Sequence, residues 1–258
     1  MITKDHLGKA LKLKVPAKRI VCLAPSITEL LFDLGLIDKL VGRTKFCIYP
    51  EGGFTNAKII GGTKNVHIEK VKDLNPDLVI ANKEENVKEQ VEQISLFTNT
   101  FTTVIKNKED ALKMIVDIGQ LTGSDIPAQN IINQIKTNDS IIEKTDKISM
   151  AYLIWKEPFM TVGGDTFISN YMKEFGFHNC FETENRYPQI SIEEIKLKNP
   201  DVILLSSEPF PFSNEHLEEI QKLTNIRTEL IDGSYCSWYG SRMIEAGKYL
   251  RHMRNKLP

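Results

Sequence analysis

The sequence predicts an α/β fold of two Rossmann-like lobes joined by a single long helix. Three observations carry this reading. Nearly continuous apolar runs, typical of buried parallel strands, alternate with amphipathic helical patterns in both halves of the chain. Residues 107–145 interrupt that alternation with helical pattern alone. A phrase of the first half, Leu74-Asn75-Pro76-Asp77-Leu78-Val79-Ile80, returns in the second as Lys198-Asn199-Pro200-Asp201-Val202-Ile203-Leu204. The boundaries that follow are an N-terminal lobe over 1–106, connecting helices over 107–146 and a C-terminal lobe over 147–258.

Residues 7–15 read as a small hairpin or edge strand bending near Gly8. Residues 19–24, Arg-Ile-Val-Cys-Leu-Ala, form the first buried strand. Pro25 ends it, and Ser26 with Glu29 three positions on has the form of a capping box. Ile27, Leu30, Leu31 and Leu34 then share one helical face, and Gly35 is a natural stop. Further strands are read at 40–42, 77–81 and 102–105, with helices at 66–74 and 84–96. In the connecting stretch, Asn107 and Ser124 suit N-caps, and Pro127 suits a first helical turn. Ala128, Ile131, Ile132, Ile135 and Ile142 recur at close to 3.6 residues, so a helix over 125–145 spans on the order of 30 Å.

The second half restarts with a strand at 148–154 and a helix capped by Asp165 that carries Ile168, Tyr171, Met172 and Phe175. A helix at 191–198, a strand at 201–206, a helix at 213–223, a strand at 227–232 and a closing helix at 241–255 complete it. In the repeated phrase, Asn and Pro stop a helix and Asp opens a buried strand. Two lobes of similar construction follow from that shared context.

Composition narrows the function. With 41% hydrophobic and 26% charged residues, 258 residues suffice for real cores. Thirty-three basic residues against thirty-four acidic leave a net charge of -1, without the basic footprint of a nucleic-acid binder. The lysines of 9–18 alternate with Leu and Val as a solvated face. No apolar run approaches the roughly 18 residues that span a bilayer. The polar start, Met1 to His6, has no secretory pattern, so the chain either stays inside the cell or has had a signal removed. Four widely separated cysteines make no C-x-x-C pair, and Cys22 reads as a small core residue.

On Arg19-Ile20-Val21 running into Pro25-Ser26-Ile27-Thr28-Glu29-Leu30, on Gly61-Gly62 before a short helix, and on both Asn-Pro-Asp strands, the chain resembles the helical-backbone (class III) periplasmic substrate-binding proteins of ABC importers, in their cobalamin- and ferric-siderophore-binding branch. The similarity covers nearly the whole chain. It implies a ligand cleft between the two lobes, formed by strand-to-helix loops. It also implies a metal-chelate ligand (corrinoid, haem or ferric siderophore), a permease and ATPase as partners, a monomeric state, and a periplasmic or cell-envelope location.

The loops in question concentrate aromatic and cationic side chains: Phe46 and Tyr49; Trp155 and Lys156; Arg186 and Tyr187; and Tyr235, Trp238, Tyr239 and Arg242. Rings give rigid contact area to a bulky ligand, and Arg or Lys engages its carboxylate or catecholate oxygens. Phe46, Tyr187 and the 235–238 loop match cleft positions of cobalamin binders. Asn82 departs from them, since those proteins place a Trp there. Trp155 and Trp238 are expected to form one wall, with Phe46 and Tyr49 opposite. Family members also present an acidic residue on each lobe to the permease, for which the candidates are Glu85 or Glu89 and Glu215 or Glu218.

Other chemistry is not encoded. The histidines (His6, His67, His178, His216, His252) have no metal-binding spacing. Gly61-Gly62-Thr63-Lys64 lacks the full phosphate-loop pattern, whereas Gly163-Gly164-Asp165-Thr166 has the form of either an anion-binding turn or a plain turn with an N-cap. No G-x-S-x-G element or catalytic carboxylate pair is present, so no enzyme, intrinsic cofactor or bound metal is expected. The alternatives are a cytoplasmic chelate carrier or sensor, and a two-lobed tetrapyrrole chelatase.

Overall fold

The structure, a computed structural model, describes residues 4–53, 56–138 and 147–257. It divides into two compact units. Unit 1 comprises residues 1–105, 109–135 and 239–242, and unit 2 comprises 106–108, 136–238 and 243–258.

Unit 1 is built on a parallel sheet of β1 (Ile20–Cys22), β2 (Leu40–Arg43), β3 (Lys58–Ile59), β4 (Leu78–Asn82) and β5 (Asn99–Thr103), in the order β3-β2-β1-β4-β5. Helices α1 (Pro25–Asp33), α2 (Ile68–Asp73) and α3 (Lys88–Ile94) connect the strands. Val21, Leu23, Val79 and Ala81 from β1, β4 and their margins meet Val71, Leu74 and Ile94 in one buried cluster. The strand order reverses at β1/β4, the position where open α/β sheets place ligand loops.

Helices α4 (Lys108–Thr122) and α5 (Asp125–Asn138) follow β5. The former packs with Ala111, Met114, Ile115, Ile118 and Leu121 buried, and its C-terminal carbonyls accept from Ala17 N–H (2.8 Å) and Lys39 Nζ (3.0 Å). These ties make α4 part of unit 1 rather than a separate connector. A Cβ on Gly119 would sit 2.7 Å from that of Ala128, so the close approach of α4 and α5 requires glycine there. The division between units falls inside α5, at 135/136. Of the helix read over 125–145, residues 139–146, with Ile142, lie outside the described residues.

Unit 2 contains β6 (Ile148–Trp155), β7 (Met160–Thr161), β8 (Phe177–Asn179), β9 (Val202–Ser206) and β10 (Thr228–Ile231). Its sheet runs β10-β9-β6-β7; β8 is parallel to the start of β6, whereas β7 is antiparallel to its end. Helices α6 (Phe167–Glu174), α7 (Ile192–Lys198), α8 (Asn214–Thr224), α9 (Gly233–Ser237) and α10 (Met243–Lys256) belong to the same half. Ala151, Leu153, Ile203 and Leu205 pack with Ile195, Phe212 and Ile220.

Several local expectations are corrected. The stretch 7–15 contains no strand; an isolated antiparallel bridge from Lys4 to Ala10 closes the expected bend around Gly8, at φ +83°. Ser26 does not cap α1: Ala24 is the N-cap and Pro25 occupies the first turn, where its missing N–H costs nothing. Glu29 is thereby released for another role. Thr166 caps α6 instead of Asp165, whose carboxylate accepts from Arg186 N–H at 2.6 Å. Strand β5 lies over Asn99–Thr103, earlier than the 102–105 read from its apolar end, because Asn99 and Thr100 pair with Leu78 and Val79.

The repeated phrase performs one job in both units. Asn75 and Asn199 take left-handed φ of 43° and 44°, a conformation Asn tolerates at a helix end. Each following Asp reaches back to the neighbouring strand. Asp77 accepts from Lys18 N–H (2.8 Å) and Arg19 N–H (3.0 Å), and Asp201 accepts from Ser149 N–H (2.7 Å).

Candidate functional site

In unit 1 the loop leaving β2 carries the first ring pair. Phe46 and Tyr49 are 49% and 42% exposed, unusual for large rings. Lys45 Nζ lies 5.0 Å from the centroid of the Phe46 ring. Tyr49 borders a cavity of about 620 Å³ shared with Arg43, Lys45, Ile48 and Glu51. Arg43 is fixed there by donating from Nη1 to the carbonyls of Thr44 (3.3 Å) and Cys47 (3.0 Å).

Arg242 joins this cluster from 196 positions further along the chain than Phe46, within the 239–242 segment of unit 1. Its guanidinium carbon is 4.6 Å from the Tyr49 ring centroid, a cation–π distance. The same guanidinium grips Glu29 bidentately, Nε to Oε2 at 2.9 Å and Nη2 to Oε1 at 2.5 Å. Burial pushes the Glu29 carboxyl up, opposed by the hydrogen bonds and charge of Arg242. Glu29, which the sequence suggested as a cap, is thus the residue that orders Arg242.

Tyr239 corrects its expected role. It is 7% exposed and donates its hydroxyl to Glu85 Oε1 at 2.8 Å, while burial pushes the phenol well above its ordinary value and keeps it a neutral donor. It is a buried strut rather than a ligand-facing ring. The same bond corrects Glu85, which is half-buried and lies in the turn before α3 rather than on it. Glu89, Glu215 and Glu218 are exposed, on α3 and α8.

Asn82, the departure from the cobalamin pattern, is 1% exposed. Its side-chain oxygen accepts from Glu84 N–H (2.8 Å) and Glu85 N–H (3.1 Å), and its amide donates to Thr103 Oγ1 (3.1 Å). Asn86 completes the closure by donating to the carbonyls of Leu23 (3.1 Å) and Thr63 (3.0 Å). The exit of β4 is therefore sealed by amides.

In unit 2 both tryptophans converge on residues 208–210, a segment that sequence reasoning missed. Trp238 Nε1–H donates to Glu208 Oε1 at 2.7 Å, and Ser237 Oγ donates to the same oxygen at 2.8 Å. The Trp155 ring, 40% exposed, meets Phe210 edge-to-face at 5.6 Å, and Phe210 continues onto Phe212 at 4.8 Å. The sequence signal was the run Glu208-Pro209-Phe210-Pro211-Phe212 directly after a buried strand. Lys156, by contrast, is engaged internally with Glu219 Oε2 at 2.5 Å and only 15% exposed along its side chain. Tyr235 stacks on Tyr249 at 4.7 Å, packing α9 against α10. Arg186 holds its guanidinium 5.8 Å from the Tyr187 ring, on the exposed turn pinned by Asp165.

The glycine motifs form closed turns. Gly163 and Gly164 direct their N–H groups to the carbonyls of Arg186 (2.7 Å) and Glu184 (3.0 Å), leaving neither for an anion. Gly62 N–H donates to Asn65 O at 2.9 Å in a turn that Gly61 enters at φ +116°. Among the described residues, no group of three His, Cys, Asp or Glu is placed to hold a metal ion, and no helix is long and apolar enough to cross a membrane. Burial pushes the Cys22 and Cys47 thiols up, away from the reactive thiolate.

Comparison with known proteins supplies the family. The vitamin B12-binding protein of Vibrio campbellii is 30% identical over 202 residues, covering 74% of this chain and 71% of that one. The uncharacterized ABC transporter substrate-binding lipoprotein YvrC of Bacillus subtilis is 27% identical over 257 residues, covering 93% and 81%. Among solved structures, the vitamin B12-binding protein BtuF of Vibrio cholerae shares the fold with a TM-score of 0.78 at 22% identity, over 93% of this chain and 98% of that one. The heme-binding protein RhuT of Roseiflexus sp. RS-1 shares it with a TM-score of 0.79 at 21% identity, over 93% and 97%. Residues 20–226, from β1 to the residue before the last turn into β10, match the periplasmic binding protein family, and the chain belongs to it.

Proposed function

We propose that this protein is the substrate-binding component of an ABC importer and captures a metal chelate (a corrinoid, haem or ferric siderophore) for delivery to a membrane permease. The observation that carries the reading is the pairing of exposed rings with held cations at strand exits, above all Tyr49 against Arg242 at 4.6 Å. Such a surface suits a rigid, bulky ligand with polar edges. The relatives support it, since one is a vitamin B12-binding protein and another an ABC transporter substrate-binding lipoprotein. Membership of a binding-protein family does not favour the chelatase alternative.

On this reading Phe46, Tyr49 and Arg242 in unit 1, and Trp155, Trp238, Arg186 and Tyr187 in unit 2, contact the ligand. The exposed Glu89, Glu215 and Glu218 are the remaining candidates to meet the permease. The protein works outside the cytoplasm as a monomer. The test is titration with cyanocobalamin, haemin and a ferric tris-catecholate, followed by visible absorbance and by the permease ATPase rate. Saturable binding of one chelate together with ATPase stimulation is expected, and absence of binding to all three rejects the reading.

A further inference from the structure

The unit 1 surface around Tyr49 gathers three cations, Arg43, Lys45 and Arg242, against the carboxylate of Glu51 at the cavity. Arg242 is also paired with a second carboxylate, that of Glu29. Glu29 meets Arg242 through two parallel hydrogen bonds of 2.9 and 2.5 Å, and the paired side chains are only 14% and 13% exposed. A pair this enclosed is weakly screened by solvent ions, so the neutralisation persists at ordinary salt. Arg242 still lies 4.6 Å from the Tyr49 ring centroid, but with Glu29 it forms a pair of no net charge.

We infer that Glu29 is a specificity-determining residue: by cancelling Arg242 beneath Tyr49, it tunes the ligand surface toward chelates of low net charge and away from polyanions. The inference rests on the chelate-binding reading and deepens it. Glu29 itself touches no ligand in this scheme and acts through Arg242. Preference between ligands is a difference of affinities, and one removable charge alters that difference without altering ring contacts.

The experiment measures Kd for neutral cyanocobalamin and for a trianionic ferric tris-catecholate, in wild type and in Glu29→Gln. Removing the carboxylate makes the surface more positive by one charge, which at a partly exposed site favours a polyanion by about tenfold. The expected result is a gain of that order for the trianion that shrinks as salt is raised, with cyanocobalamin affinity changed by less than about twofold. A role limited to holding the fold together would move both ligands alike. Equal Kd values for the trianion in wild type and variant overturn the inference alone. Wild-type protein that binds neither probe overturns the inference, and failure to bind haemin as well overturns the chelate reading with it. Where Glu29→Gln does not fold, Glu29→Asp gives a second test, because its carboxylate is one methylene shorter and reaches Arg242 less closely. A smaller gain for the trianion with cyanocobalamin unmoved is expected, and an unmoved ratio of the two Kd values overturns the inference.

Discussion

In unit 1 the Asp77 carboxylate accepts two backbone N–H groups ahead of β1, and in unit 2 Asp201 accepts one at the start of β6. Strand entry is thus built the same way twice. Strand exit is not. The exit of β4 is sealed by Asn82 and Asn86, whose amides hold the turn closed. The exit of β9 instead projects Glu208 and Phe210, which carry the two tryptophans. Unit 1 places its exposed rings two strands away, after β2. A duplicated phrase therefore fixes how each sheet starts, while the loops beyond the strands specialise, as expected where scaffold and recognition are separated.

The largest test of the likeness is in the two cores. Leu23 and Leu205 are each fully buried in the cluster of their own unit. Leu23→Ala and Leu205→Ala should each cost about 3 kcal/mol in urea unfolding. A large cost in one unit and a negligible one in the other breaks the equivalence.

The next effect tests the unlike exits. Trp238→Ala removes a ring held by Glu208 and should cost about 2 kcal/mol in chelate binding, roughly thirtyfold. The melting temperature should be nearly unchanged. Loss of melting temperature with intact affinity assigns the ring to packing against the closing helix instead. Glu208→Gln keeps one acceptor for the indole and should reproduce only a few-fold part of the loss.

Asp77→Ala and Asp201→Ala probe strand entry. The first deletes two charge-assisted acceptor bonds and should cost about 2 kcal/mol; the second deletes one and should cost about 1 kcal/mol. Chemical denaturation of both variants checks the order, and a reversed order contradicts the bonding described.

The smallest effect concerns a contact found in unit 1. Burial opposes ionisation of Asp117, but hydrogen bonds from His6 and Lys113 overcome it and hold the carboxyl below its usual range. Because the folded value lies below the unfolded one, the stabilisation is complete above the ordinary carboxylate range. It is lost as pH falls through the folded value. Urea midpoints measured across acidic pH should fall less steeply in Asp117→Asn than in wild type.

Strands with long apolar runs and the Asn-Pro-Asp phrase were legible because each encodes its state locally. Short edge strands were not. Met160–Thr161 and Phe177–Asn179 are ordered by pairing with β6, and neither carries enough periodicity to announce itself. The candidate site divides along the same line. The exposed rings of Tyr49 and Trp155 and the half-buried ring of Trp238 were readable from loop composition. The carboxylates that set their partners were not, since Glu29 finds Arg242 across 213 positions and Tyr239 finds Glu85 across 154. Ser26 and Glu29 even mimicked a capping box, a local solution that Pro25 made unnecessary.

The 239–242 segment gives unit 1 an unusual history during synthesis. A nascent chain emerges from its amino end, so the strands of unit 1 are complete long before Tyr239 and Arg242 exist. Until then Glu29 and Glu85 lack these partners and keep their water. Only when the stretch after β10 has left the ribosome do the phenol and guanidinium arrive to replace it. Unit 1, whose strands are made before those of unit 2, is therefore finished after them, and a truncation just before Tyr239 would damage the earlier-made unit.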